Sequence, residues 1–321
     1  MTRIAALPRS TLHLDFLRHN APSLDRVLYR DLRLADAIDA AYPGKGVYLG
    51  REGRLPHQPL AALRQFRANR AYYDGVRRQV EPLGLDRLIL FLEGEPLERS
   101  IQHWFAGQLE LWEEGLSHYV DLTSPWWYGM RGLIQLASGF YPRGAMHRRA
   151  DRSRFVVRDR FEKGGLVLPP PTRAAPADAV CLVGSPLVED RLLSRRRQQQ
   201  GLAAIAAVAP YPLYYLPHPR ENLAALREVL ASCPGARLAA EPFGIHQHAA
   251  THGYRAFLAP VSTALLDLGA YSQSLFVPAL FGQARMHAAL AGWTSNPVAT
   301  ASGIEDLKGF FRRLEGSRPQ K

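Results

Sequence analysis

The stretch RLILFLEGEPLERSIQHWFAGQLELWEEG, residues 87–115, decides the fold class. Its first part, RLILFLEG, is a short apolar run closed by a glycine, which is typical of a buried parallel strand. A helix is predicted next, because Pro96 suits a first helical turn and Gly107 suits the end of a helix. QLELWEEG predicts another strand, so the whole stretch indicates a βαβ unit.

The same alternation returns in the second half of the chain, after a proline-rich break. PPPTRAAPAD (residues 169–178) cannot continue a helix and suits a semi-rigid linker. A new apolar strand, DAVCLVGSPL (178–187), follows the break, and predicted helices and strands then alternate through residue 242. The sequence therefore predicts two α/β halves.

The bulk composition favours an anionic partner. The chain has 321 residues, a formal net charge of +11 and an estimated pI of 9.9. A chain this basic suits a phosphorylated substrate or peripheral contact with an anionic membrane. No zinc-finger, homeodomain or RNP-type pattern accompanies the charge, so we expect no nucleic-acid partner.

The sequence shows no secretory or membrane-spanning pattern. The two cysteines, Cys181 and Cys233, have neither a disulfide-framework nor a zinc spacing. The first residues lack the apolar stretch of a signal peptide, and no apolar run is long enough for a transmembrane helix. The expected location is the cytoplasm, with peripheral contact at the inner membrane.

Three short polar elements lie at strand ends or in loops, where α/β folds place ligands. They are Glu113-Glu114-Gly115, His218-Pro219 and Ser262-Thr263. Taken singly, each has an ordinary structural explanation: the acidic pair and the histidine suit turns, and Ser262 suits a helix cap. Their order along the chain is the informative feature.

In this order and with these flanks, the elements resemble the motifs of the bacterial sialyltransferases, particularly glycosyltransferase family 52 and the related polysialyltransferases. That superfamily has an acidic-acidic-Gly, a His-Pro and a Ser-Ser or Ser-Thr motif. LVGSPLVED (Leu182–Asp190) resembles the first strand and loop of its nucleotide-binding domain, and Glu241-Pro242 lies where it has a ribose-binding glutamate. The resemblance covers about Leu88 to Leu266.

The resemblance implies an α/β fold of GT-B type, with two Rossmann-like domains facing a central cleft. Residues 1–172 would bind the acceptor and hold the catalytic base, residues 173–298 would bind the CMP-sugar, and residues 299–321 would form a helix that crosses back to the N-terminal domain. The implied reaction is inverting transfer of sialic acid from CMP-sialic acid to a hydroxyl of a surface glycan such as lipooligosaccharide, lipopolysaccharide or capsule. No metal and no cofactor other than this donor is expected.

The same resemblance assigns the site residues. Glu113 is the general base that takes the acceptor's proton. General-base catalysis typically raises the rate by about 10²–10⁴. Glu114 supports it, and Gly115 lets the backbone turn. Neighbours on an extended segment point to opposite sides, so only one of the two glutamates is expected to face the cleft. His218 contacts the departing phosphate and protonates it. The remaining residues assigned to CMP are Gly184, Pro219, Glu241, Ser262 and Thr263.

Other functions stay open at the level of sequence. A transferase for Kdo or another CMP-activated nonulosonate would need the same motif residues. A catalytically idle glycan- or membrane-binding protein on the same scaffold is a second alternative. A hydrolase using Ser185 or Ser262 is a third, although no G-x-S-x-G elbow supports it.

Three further segments have two interpretations each. GIHQHAATHGY (residues 244–254) contains a His-x-His pair that suits zinc, but no carboxylate or cysteine at a suitable spacing completes the motif, which favours loop histidines. Trp126 and Trp127 suit a core or a surface that stacks on sugars. The C-terminal stretch 303–321 predicts a helix with an apolar face, which either packs on the protein or contacts a membrane.

Overall fold

The chain divides into two units. The computed structural model describes residues 2–21, 23–122, 125–139, 152–168, 176–241, 245–269 and 272–316. Unit 1 comprises Met1–Glu114 and Thr123–Pro169, and unit 2 comprises Gly115–Leu122 and Pro170–Lys321. The main division lies close to the residue 172 expected from the sequence, but the short segment 115–122 belongs to unit 2.

Each unit is built on a six-stranded parallel sheet, which confirms the expectation of two α/β domains. The strands of unit 1 are β1 (Ile4–Leu7), β2 (Arg26–Tyr29), β3 (Gly46–Tyr48), β4 (Arg87–Leu90), β5 (Gln108–Trp112) and β6 (Phe155–Arg158). Those of unit 2 are β7 (Pro176–Val183), β8 (Leu213–Leu216), β9 (Ala236–Leu238), β10 (Gly253–Ala259), β11 (Gln273–Phe276) and β12 (Ala299–Thr300). The sheet orders are β3-β2-β1-β4-β5-β6 and β12-β11-β10-β7-β8-β9.

Helices connect the strands, and one of them begins at Pro96, as the sequence predicts. Pro96 occupies the first turn of its helix, while Ser194 and Asn222 cap theirs by accepting a backbone N–H. The helices are α1 (Thr11–Asn20), α2 (Ala35–Ala41), α3 (Pro59–Val80), α4 (Pro96–Trp104), α5 (Leu116–Tyr119), α6 (Pro125–Ala137), α7 (Arg195–Val208), α8 (Leu223–Ala231), α9 (Ile245–Thr251), α10 (Ala264–Leu268), α11 (Ala284–Ala291) and α12 (Ile304–Gly316). No helix within the described residues combines the length and apolar character needed to cross a bilayer.

The βαβ unit predicted from residues 87–115 is present. It consists of β4, α4 and β5, and β4 pairs in parallel with β5. The apolar residues of β4 are fully buried because helices cover both faces of a parallel sheet. The matching series in the second half is β7, α7, β8, α8 and β9.

The C-terminal helix belongs to unit 2. Leu307, Phe310, Phe311 and Leu314 of α12 are buried in the core of that unit, and α12 packs against α7. The sequence predicts a helix that crosses back to the N-terminal domain; in the structure, the described part of α12 belongs to unit 2. The apolar face is covered by protein, so the packed-helix interpretation is confirmed and a membrane contact through this face is not.

Replacing Phe310 with Ala should destabilise unit 2. Loss of a buried phenylalanine typically costs about 3–5 kcal/mol, through lost burial and the cavity that remains. Hydrogen exchange should report the loss in β7 and α7, whereas β1 and β4 of unit 1 should keep their protection. Lys308→Ala, an exposed change on the same helix, is the control and should alter stability by less than about 0.5 kcal/mol. Equal loss of protection in both units would contradict the assignment of α12 to unit 2.

Candidate functional site

The predicted CMP-binding residues lie in loops at one edge of the second sheet. Strands β10, β7, β8 and β9 are neighbours and run parallel, so their carboxyl ends share this edge. In open α/β sheets, ligands bind at the carboxyl ends of the strands. The residues that follow these strands are Gly184 after β7, His218 and Pro219 after β8, Glu241 after β9, and Ser262 and Thr263 after β10.

Gly184 is packed so closely that only glycine fits. A Cβ atom at this position would lie 2.2 Å from Glu221 Oε2 and 2.9 Å from the His218 amide nitrogen. The His218 N–H donates to Glu221 Oε2 at 2.7 Å. The loop after β7 therefore presses on the loop that carries the histidine, and a side chain at residue 184 would push the two apart.

Glu221 is the central residue of this contact, and sequence reasoning missed it. Its carboxylate also accepts from the Tyr215 hydroxyl at 2.6 Å and from Gln198 Nε2 at 3.4 Å. Burial raises the pKa of Glu221 to about 7, although the hydrogen bonds from Tyr215 and the His218 amide act in the opposite direction. The only sequence signal was a glutamate three residues after His218.

His218 is half-buried and is set up as a neutral hydrogen-bond donor. Burial, and then the charge of Arg220, lower the pKa of His218 below its ordinary value. The Arg220 N–H donates to His218 Nδ1 at 3.1 Å. A ring nitrogen that accepts carries no proton, so the proton of the neutral ring lies on Nε2. At neutral pH His218 can therefore donate one hydrogen bond from Nε2.

Two further contacts join the loops after β7 and β8. Arg220 forms a bidentate pair with Asp190, with N–O distances of 2.8 and 2.9 Å. Glu189 Oε1 accepts from the Asn222 N–H at 3.1 Å. Exposed pairs of this kind add about 0–1 kcal/mol to stability, so their main effect here is to fix the position of the His218 loop.

The loops after β7 and β10 are also joined. The buried Ser185 donates its hydroxyl to the Val261 carbonyl, so that proton is committed to the backbone. Ser262 Oγ accepts from the Ala264 N–H at 3.3 Å, within the turn before α10, whose N-cap residue is Thr263. Ser185 thus acts as a link between two loops, a role that weakens the hydrolase alternative.

Gly115 of the acidic motif packs directly on Thr263 of the Ser-Thr motif, within unit 2. Gly115 has a φ of +138°, and a Cβ atom there would lie 2.5 Å from both Thr263 Cγ2 and Oγ1. The next residue, Leu116, donates its N–H to Thr263 Oγ1 at 3.1 Å. Glycine is required here by both backbone conformation and space. Gly115 and Leu116 therefore meet Thr263, although almost 150 residues separate them in sequence.

Pro219 and Glu241, two of the predicted CMP-binding residues, are exposed. Pro219 lies in the turn after His218, and Glu241 lies three residues beyond the end of β9. Pro242 is outside the described residues. Glu241 thus lies at the same sheet edge as the other predicted CMP-binding residues, with its side chain open to solvent.

Glu113, predicted to be the base, is completely buried in unit 1 at the end of β5. Arg160 Nη2 lies 2.6 Å from its Oε1, and the Arg160 N–H donates to its Oε2 at 3.2 Å. The carboxylate is thus enclosed and engaged by Arg160, so an acceptor hydroxyl has no open path to it in this conformation. Glu114, the next residue along the chain, is only half-buried.

Unit 1 has a second cluster of buried charge that sequence reasoning missed. It lies beyond the carboxyl end of β1, where Arg9 pairs with Glu98 of α4 at 2.6 and 2.8 Å. His13 stacks on Phe91, with ring centroids 4.0 Å apart. Burial, and then the charge of Arg9, lower the pKa of His13 to about 3, so this histidine is neutral. Buried charges at the carboxyl edge of a parallel sheet are typical of binding sites.

The histidine-rich segment has a structural role. His248 is fully buried and its Nε2 lies 2.8 Å from the Tyr254 hydroxyl, while its ring stacks on Tyr254. The side chain of His246 is outside the described part of the chain. Among the described residues, no group of three His, Cys, Asp or Glu side chains is arranged to hold a metal ion.

Solved structures share this two-unit architecture. The chain is similar to the spinosyn rhamnosyltransferase SpnG, with 13% identity, a TM-score of 0.50, and coverage of 99% of this chain and 92% of that one. It is also similar to Arabidopsis thaliana UGT89C1 complexed with UDP, with 12% identity, a TM-score of 0.52, and coverage of 99% and 91%. Both are glycosyltransferases with two α/β domains, and the agreement runs over nearly the full length of each chain. The chain has the GT-B fold.

The GT-B fold was expected from the family resemblance and is confirmed. At identities this low, the likeness establishes the fold and no substrate. No family model matches the sequence, and no curated protein matches it either. The relationship to family 52 and the residue assignments made from it therefore stay predictions.

Replacing Glu221 with Gln should change how the stability of unit 2 depends on pH. The pKa of this carboxyl is about 7 in the folded protein against an ordinary 4.5, so its contribution is complete below pH 4.5 and is lost as pH rises through about 7. The amide does not titrate. The stability of the variant relative to wild type should therefore rise between about pH 5 and 8, by on the order of 2 kcal/mol. Urea unfolding at both pH values measures this, with the exposed Glu228→Gln on α8 as the matched control. A shift of the same size in the control would contradict the role given to Glu221.

Replacing Gly115 with Ala should destabilise unit 2 by about 2–4 kcal/mol, because the new methyl group combines an unfavourable φ with overlap onto Thr263. Thermal unfolding measures the loss. Gly303→Ala, where no atom lies within 4 Å of the added Cβ, is the control and should be nearly neutral. An unchanged melting temperature for the Gly115 variant would show that the contact with Thr263 is absent in solution.

Proposed function

We propose that this protein is an inverting glycosyltransferase that moves a sialic acid from CMP-sialic acid to a hydroxyl of a glycan. The observation that carries the proposal is the convergence of motif residues at one edge of unit 2, where Gly115 packs on Thr263 and Gly184 packs on the His218 amide. The GT-B fold adds support, because a similar solved structure is a rhamnosyltransferase and another contains UDP-L-rhamnose.

The donor half of the proposal uses hydrogen-bond donors at this edge. His218 would donate from Nε2 to the CMP phosphate, whose negative charge grows as it leaves. Thr263 Oγ1 already accepts from Leu116, and its own hydroxyl proton suits the same phosphate, as does that of Ser262. A preorganised donor of this kind is typically worth about 10²–10³ in rate. The exposed Glu241 would accept hydrogen bonds from the ribose hydroxyls.

The acceptor half of the proposal uses the acidic pair, with the roles divided. Glu113 is enclosed and paired with Arg160, which suits an anchor for the end of β5. Glu114 is the accessible member and is the better placed to take a proton from an acceptor hydroxyl. This division exchanges the base and supporting roles that the family resemblance suggests.

In the proposed reaction, the acceptor oxygen forms a bond to the anomeric carbon while the bond from that carbon to the phosphate oxygen breaks. The acceptor proton passes to Glu114 and CMP leaves as a phosphate monoester. Attack from the face opposite CMP inverts the anomeric configuration. The proposal includes no metal and no cofactor other than the donor. The proposed acceptor is a surface glycan, such as lipopolysaccharide or capsule. The proposed location is the cytoplasm. Two buried free cysteines are compatible with such a reducing compartment.

A transferase for another CMP-activated acid sugar, such as Kdo, is the second candidate. It is kept because the groups assigned to the donor would contact phosphate and ribose, which all these donors share. The sugar itself is therefore not specified by the motif residues, and the donor must be identified by assay.

The test is release of CMP from CMP-sialic acid, with and without a lactose- or sialoside-type acceptor. Glu114→Gln should lower kcat by about 10²–10⁴, and His218→Ala by about 10²–10³. Glu113→Gln should mainly destabilise unit 1, by about 3–5 kcal/mol, because it leaves the Arg160 charge buried without its partner. The exposed changes Glu228→Gln and His57→Ala are matched controls and should keep full activity.

Two results would overturn parts of the proposal. A folded Glu113→Gln protein that loses acceptor-dependent release, beside an active Glu114→Gln protein, would return the base role to Glu113. Absence of CMP release from CMP-sialic acid, CMP-Kdo and related donors alike would favour a binding protein on this scaffold.

A further inference from the structure

Helix α6 of unit 1 presents apolar side chains to solvent. Trp126 and Trp127 are 70% and 50% exposed, and Leu133 and Ile134 are 59% and 52% exposed. Residues seven or eight positions apart lie on the same side of a helix, so these four side chains form one apolar patch. Soluble proteins rarely expose large apolar side chains in such a group unless something binds there.

The helix is also without acidic residues. Its sequence, PWWYGMRGLIQLA, contains one charged residue, Arg131, which pairs with Glu95. A solvated helix face normally carries charges of both signs. The composition of α6 is instead typical of a segment at the boundary between water and an apolar phase, where tryptophan is enriched.

The end of α6 is fixed against the middle of α3. Asn69 Nδ2 donates to the Ser138 carbonyl at 2.7 Å. At Gly139, which has a φ of +92°, a Cβ atom would lie 2.5 Å from the Phe66 carbonyl oxygen. Both helices belong to unit 1, and these two contacts join the end of α6 to the middle of α3.

The first half of α3 also exposes apolar side chains, together with positive charge. Leu60 and Leu63 are 78% and 49% exposed. They share the helix with three exposed arginines and no acidic residue before position 74: Arg64, Arg67 and Arg70. Apolar side chains surrounded by basic ones complement the surface of an anionic bilayer, where negatively charged headgroups lie above the apolar interior.

We propose that α6 and the first half of α3, together the α3–α6 surface, dock on an anionic lipid bilayer. The tryptophans and leucines enter the headgroup region, and the arginines contact the lipid phosphates. The opposite charge of anionic lipid is what selects a bilayer as the occupant. The C-terminal helix, which the sequence alone offered as a membrane contact, has its apolar residues in the core.

Co-sedimentation with vesicles tests the apolar part of the surface. Wild type should bind vesicles of phosphatidylcholine containing about one-third phosphatidylglycerol at low salt, and bind pure phosphatidylcholine much more weakly. Trp126→Ala/Trp127→Ala should weaken binding about tenfold or more. Leu32→Ser, an exposed apolar change elsewhere in unit 1, is the control. Tryptophan emission should shift to the blue with vesicles in wild type and much less in the double variant, because Trp112 and Trp293 are buried and the half-buried Trp104 packs on the core of unit 1.

A matched pair of charge variants tests the basic part. Arg64→Gln/Arg67→Gln/Arg70→Gln should weaken binding by roughly fivefold for each arginine at the lipid surface. The control triple variant on α7 removes the same charge from three exposed arginines of unit 2, Arg195, Arg196 and Arg197, and should have a much smaller effect.

Three outcomes would overturn the proposal. Wild type that fails to sediment with anionic vesicles removes the membrane as occupant. Equal losses from the two arginine triples mean that net charge alone drives binding. A dimer in sedimentation velocity that Trp126→Ala/Trp127→Ala dissociates, without vesicle binding by wild type, assigns the surface to a second copy of the chain.

Discussion

The buried carboxylate of Glu221 fixes the arrangement of the candidate donor site. A buried acceptor must be given hydrogen bonds, and here they come from the Tyr215 hydroxyl, Gln198 and the backbone N–H of His218. The histidine loop is therefore tied to the interior of unit 2 through its own main chain. Gly184 completes the constraint, since only a residue without a side chain leaves room for the carboxylate. The ring of His218 is then held as a neutral donor by the neighbouring Arg220 amide.

Unit 1 uses buried charge in a different way. Glu113 with Arg160, and Arg9 with Glu98, are complete ion pairs at the carboxyl edge of the first sheet. Removing such charges from water costs several kcal/mol for each ion, so these pairs are poor devices for stability alone. Their main effect is on position. A buried ion pair is stable in only one geometry, so it fixes the backbone on either side of it. Glu114, next to an anchored Glu113, is a half-buried carboxylate on a well-fixed backbone.

Two amphipathic helices illustrate how burial depends on the surroundings. Helix α12 and helix α6 both carry an apolar side in sequence. Phe310 and Phe311 of α12 are covered by the core of unit 2, whereas Trp126 and Trp127 of α6 lie in solvent. Periodicity reports that a helix has an apolar side, and it does not report which surface covers that side. The candidate membrane contact is therefore α6, in the middle of the chain, and not α12 at its end.

The sequence by itself determined the alternating strand and helix runs of two α/β halves, the helix start at Pro96, and the strand ends that carry His218 and Thr263. These features are local, because strand runs, capping residues and turn residues act within a few positions of the chain. Only the tertiary structure decided that Glu221 is buried at the centre of the site and that Gly115 lies against Thr263. It also decided which glutamate of the acidic pair is accessible, because Arg160 lies 47 residues from Glu113. Contacts across such separations depend on how the strands are ordered in the sheet, and no pattern within a short stretch of sequence records that order.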